Sequence, residues 1–65
     1  MRLTDFWDRM EGRFGPTYAH SVARDQVIPR LGERSVEQAI ADGVDVKDVW
    51  LAVCEHFEIP VRERH

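Results

Sequence analysis

The sequence has one cysteine, Cys54, so a disulfide within the chain is excluded. A lone thiol suits a reducing compartment. No apolar run approaches the ~20 residues of a membrane span. The opening "MRLTDFWDRM" has no apolar core of the kind a secretory leader needs. These absences predict a soluble, cytoplasmic protein. Excess positive charge is missing too: the net charge is −3, which disfavours non-specific attraction to nucleic acid or anionic lipid. There are no repeats, low-complexity stretches or glycine-rich phosphate loops; "GERS" has neither the lysine nor the spacing.

What is present is apolar material for a fold. Of the 65 residues, 43% are apolar, with two Trp and three Phe. That is too much for a disordered tail. A chain this short still buries only about 60% of the surface it exposes when unfolded, so its core is marginal. We therefore expect one domain over residues 1–61, with 62–65 as a tail.

The punctuation is helical. Thr4 is a candidate cap for a first helix running to Phe14, stopped by Gly15-Pro16. Leu3, Phe6, Trp7, Met10 and Phe14 share one arc of that helix, with Asp5, Asp8, Arg9, Glu11 and Arg13 opposite. Asp5 and Arg9, four apart, form a candidate ion pair. Pro16 suits the start of a second helix through Tyr18 and Val22 to about Arg24. Val27 and Ile28 leave that stripe, and Pro29 removes a donor, which predicts a break near Asp25 and a short helical piece ending at Gly32. Ser35 with Gln38 has the capping-box spacing, and Gly43 ends that helix. Asp45 caps a last helix to Phe57 or Glu58, centred on Val46, Trp50, Val53 and Phe57. No segment alternates long enough to suggest a strand. The predicted fold is all-α, a compact small bundle of three to four short helices with a helix-turn-helix-like corner at residues 35–58. Its expected core is Phe6, Trp7, Met10, Phe14, Tyr18, Val22, Ile40, Val49, Trp50, Val53 and Phe57.

"MRLTDFWDRM", "FGPTYAHSVARD", "LG" and "SVEQAIADGVDVKDVWLAVCEHFEIP" resemble a family of short actinobacterial proteins of unknown function that open with this motif. The resemblance covers nearly the whole chain. It implies no activity, cofactor or catalytic residue. The genes of that family often lie near recombination regulators, which implies a link to DNA recombination or repair without implying contact with DNA. Pro29 and Val46 depart from the family's usual pattern, and Pro29 bears on the continuity of the second helix.

The spacing Ala39, Gly43, Val44, Val49 is that of a helix-turn-helix corner. Reading DNA would need polar side chains on the outer face of the second helix. The groove-facing positions would be Asp45, Val46, Lys47, Trp50, Leu51 and Cys54, four of them apolar. Residues 35–59 set Lys47 against six acids, leaving −5, which would repel phosphate. The corner is expected to be structural.

Chemistry finds little purchase. Cys54 and His56, two apart on a helix, point in different directions and cannot chelate together. Cys54 is expected in the core, His56 near the helix end, and His65 in the tail as a candidate tag remnant. His20 and Ser21 are adjacent and do not face each other. Asp42, Asp45 and Asp48 lack calcium-loop spacing and read as caps or solvated acids. The reading is a non-enzymatic protein-binding module with no cofactor, no metal and no small-molecule substrate, acting on another protein or on itself. Lys47 and Leu51 are the candidate contact residues, because Leu51 lies off the core stripe of the last helix. The alternative is a helix-turn-helix-like or basic-face nucleic-acid module using Arg2, Arg9, Arg13, Arg24, Arg30 and Arg34.

Overall fold

A single glycine separates the first two helices. α1 spans Leu3–Phe14 and α2 spans Pro16–Asp25, with Gly15 at φ 91° and ψ 152° closing one and opening the other. A side chain would be strained there, and Pro16 with its fixed φ is suited to restart the helix at once. The structure, a computed structural model, describes residues 1–64; the tail reading of His65 lies outside the described residues. α1 starts earlier than the Thr4 cap predicts. Its N-cap is Arg2, which makes no side-chain cap, and Thr4 falls in the first turn.

α2 ends at Asp25, as the sequence predicts, but the next segment is not helical. Val27–Ile28 forms β1, paired antiparallel with β2, Arg34–Ser35, in the register Val27 to Ser35 and Ile28 to Arg34. The two β-branched residues favour extended backbone, and Ile28 is held there by the proline that follows it. Only Pro29–Leu31 turns, as one 3-10 turn. The all-α expectation is thus corrected to a mostly helical fold with a small two-stranded sheet. Strands of two residues are too short for any alternation to reveal.

α3, Val36–Ala41, is capped by Ser35, whose Oγ accepts the Gln38 N–H at 3.1 Å. Only half of the capping box forms, because the Gln38 amide donates to Asp42 Oδ1 at 2.9 Å. α4, Val46–His56, is capped by Asp45, whose carboxylate accepts the Lys47 N–H at 2.9 Å. Residues 61–64 do not trail away. Val61–Glu63 makes a 3-10 turn, and the Arg64 carbonyl accepts hydrogen bonds from Trp50 Nε1 at 3.1 Å and from Arg9 at 3.3 Å. Arg9 therefore turns to the chain end rather than to Asp5.

The core draws on all four helices, with α2 packed against α1 and α3, and α4 against α3 and α1. Phe6, Met10, Val22, Val49, Trp50, Val53 and Cys54 are buried together with Ile28, Leu31, Val36 and Ile59. Phe6 meets Trp50 edge to face at 6.1 Å between ring centres, and Phe14 meets Phe57 at 5.1 Å. Trp7, Phe14, Ile40 and Phe57 are only partly buried and pack on the core's margin. Tyr18 is a correction: it is 61% exposed. The inner face of α2 is Ala19, Val22 and Ala23, and Tyr18 lies about 100° around the helix from Ala19, at the margin of that face. No helix among the described residues is long and apolar enough to cross a membrane.

Candidate functional site

The α3–α4 corner is built by backbone geometry. Gly43 has φ 89°, the Val44 N–H donates to the Ala39 carbonyl at 3.0 Å, and the Gly43 N–H donates to the Ile40 carbonyl at 3.1 Å. This is the left-handed helix stop that favours glycine. Val49 and Ala39 are buried across the corner, so the sequence spacing serves the packing.

The face of α4 that would enter a DNA groove is split between the interior and solvent, with Asp45, Lys47 and Leu51 exposed. Trp50 and Cys54 are buried and Val46 is half-buried, while Asp45 is occupied as a cap. Burial raises the Cys54 thiol above its ordinary pKa, despite the opposing influence of Arg64, Arg9 and Arg13. The thiol is thus kept protonated and shielded.

Lys47 and Leu51 do face solvent, with Leu51 39% exposed. Leu51 is a ridge between two shallow grooves. One, of about 500 Å³, is bordered by Arg30, Arg34, Asp48 and Glu55. Both of its arginines are paired, Arg30 with Glu55 at 2.7 Å and Arg34 with Asp42, outside the groove, at 3.3 Å. The other, of about 400 Å³, is bordered by Met1, Arg9, Lys47, Trp50 and Arg64. A third hollow, along α1, mixes Asp5, Asp8, Arg9, Arg13 and Glu63 and is mainly polar.

Five of the six candidate arginines are engaged by groups of the protein itself. Arg13 pairs with Glu63 at 3.0 Å and Arg24 with its neighbour Asp25 at 3.1 Å. The Asp25 hydrogen bond raises the Arg24 pKa above the usual guanidinium value. Arg30 and Arg34 are paired as above, Arg9 is bonded to the Arg64 carbonyl, and Arg2 lies exposed at the start of α1. Histidines and cysteine are likewise kept apart. His20 stacks on Trp7 at 4.5 Å and its Nε2 lies 3.2 Å from Glu11, whereas His56 lies at the exposed end of α4. Among the described residues, no group of three or more His, Cys, Asp or Glu is placed to hold a metal.

The helical wheel sets Lys47 and Leu51 off the core stripe, and both are exposed. It missed Met1, Arg9 and Arg64 as their neighbours, because α1, α4 and the chain end converge only in three dimensions. The family described as "Protein of unknown function (DUF3046)" matches residues 1–62, and the chain belongs to it. No curated protein and no solved structure matches the chain.

Proposed function

We propose that the protein is a non-enzymatic binding module that acts through contact with another protein or with a second copy of itself. The observation that carries this reading is Leu51, an exposed leucine standing between two grooves on the central helix. Lys47, one turn away, adds an apolar stem and a charge. An exposed leucine alone is ordinary on a protein surface. Here it adjoins Met1, 43% exposed, which extends the apolar ground toward α1. A non-enzymatic role is supported by the separation of the reactive groups: Cys54 is sealed in the core while His20 and His56 are outside. A link to recombination or repair would run through such a partner.

The nucleic-acid alternative is the weaker reading. Four of its six arginines already pair with acids, so phosphate would have to displace carboxylates for each contact.

Leu51→Glu tests the proposal. The fold should survive, because the site is already solvated. Assembly seen by sedimentation, or capture of a partner from native lysate, should weaken, because a charge must lose its water there. Unchanged assembly and an unchanged set of captured proteins would refute the reading.

A further inference from the structure

The groove on the α1 side of Leu51 inverts the charge of its surroundings. The chain carries −3 overall, and residues 35–59 set a single lysine against six acids. Yet that one lysine, Lys47, shares this groove with Arg9 and Arg64, against the single acid Asp5. The floor and lip are apolar, made by Trp50, Met1 and Leu51. Two of the three cations are held in place. Arg9 donates to the Arg64 carbonyl at 3.3 Å, and Arg64 Nε donates to the Ile59 carbonyl at 2.9 Å. Fixing them for a ligand therefore costs little further entropy. Lys47 is exposed and enters no ion pair among the described residues, so its charge is open to a partner.

We infer that this groove seats an acidic amphipathic segment of a partner protein, with an apolar side chain between Met1 and Leu51 and carboxylates toward Lys47, Arg9 and Arg64. The inference rests on the reading of Leu51 as a contact residue and adds the chemistry of what it contacts. A second copy docked groove to groove fits less well, because a two-fold interface sets like surface on like and would face cations with cations. A nucleic-acid duplex fits less well too. It offers phosphates but no apolar side chain for the floor, and it would lie against the acidic remainder of α4. An acidic amphipathic segment satisfies both the charge and the apolar ground at once.

The probe is a short labelled helix-forming peptide with leucines on one face and glutamates on the other, alongside a counterpart with lysine at each glutamate position. Fluorescence anisotropy with the full chain should show saturable binding of the acidic peptide, weakening as salt is raised. The lysine peptide should bind at least about tenfold more weakly. Lys47→Glu should weaken the acidic peptide about tenfold, and the milder Lys47→Gln should weaken it by less, each with melting near that of the unaltered chain. Preference for the lysine peptide, tighter binding of labelled duplex DNA, or no saturable binding of the acidic peptide would each overturn the inference. If the acidic peptide fails while Leu51→Glu still disrupts assembly or capture, the charge argument falls and the contact reading stands. If both fail, both fall.

Discussion

Glu58 sits where a glycine belongs, and replacing it should stabilise the protein. α3 and α4 end in the same way. At α3 the left-handed residue is Gly43, at φ 89°; at α4 it is Glu58, at φ 54°. The Ile59 N–H donates to the Cys54 carbonyl at 2.8 Å, and the Glu58 N–H to the Glu55 carbonyl at 3.3 Å, reproducing the bonds around Gly43. A residue with a Cβ in this conformation costs roughly 1–2 kcal/mol. Glycine would remove that cost but add freedom to the unfolded chain, worth about 0.5–1 kcal/mol against folding. Removing a carboxylate from the negative end of α4 returns a further ~0.3 kcal/mol or more. The Glu58 side chain is exposed and enters no ion pair among the described residues, so nothing else is lost. Glu58→Gly should therefore gain about 1 kcal/mol, which for a domain of this size raises Tm by roughly 4–8 °C. Thermal melting by circular dichroism, at low and high salt, is the assay. Glu58→Ala is the control: it keeps the Cβ and loses only the charge, so its small gain should fade with salt. Gly43→Ala should destabilise by about 0.5–1 kcal/mol, the left-handed backbone strain less the freedom removed from the unfolded chain, with no steric clash added, since no atom lies within 4 Å of the added Cβ. A Glu58→Gly chain melting at or below the unaltered one would refute the reasoning.

Trp50 is buried against Phe6 and donates to the Arg64 carbonyl, so Trp50→Ala should cost about 3–5 kcal/mol, most of the stability of so small a domain; melting would show it, and near-normal melting would contradict the placement of α4. Because burial raises the Cys54 pKa in the folded state, its contribution to stability is full below the thiol's ordinary range and is lost as pH rises through and above it. Denaturant titrations from neutral to alkaline pH should show that loss, and Cys54→Ala should reduce its slope. Labelled DNA duplex titrated to micromolar protein at physiological salt should give no saturable signal. Saturable binding abolished by Lys47→Ala would reverse our account of α4.

Much of this was written locally. Gly15-Pro16, Ser35, Gly43 and Asp45 each mark a helix end by their own backbone or side-chain chemistry, and each stands at such an end in the structure. The apolar spacing of α4 placed Val49, Trp50 and Val53 inside and left Leu51 and Lys47 outside, because a helical wheel depends on one helix alone. Tyr18 escaped the same logic. Its stripe is legible, but which arc of α2 is covered depends on where the other helices pack, and they cover the arc of Ala19, Val22 and Ala23. The pairing of Val27–Ile28 with Arg34–Ser35 was hidden because two residues carry no period. The cationic groove was hidden for a deeper reason. Arg9, Lys47 and Arg64 are far apart in sequence, and chain composition marks the neighbourhood of α4 as acidic. Only the folding of the chain end back onto α1 and α4, fixed by the indole and guanidinium donors on the Arg64 carbonyl, brings three positive charges around one apolar floor. Local propensity decides where elements begin and end; the charge a surface presents depends on distances between elements, which exist only once they are packed.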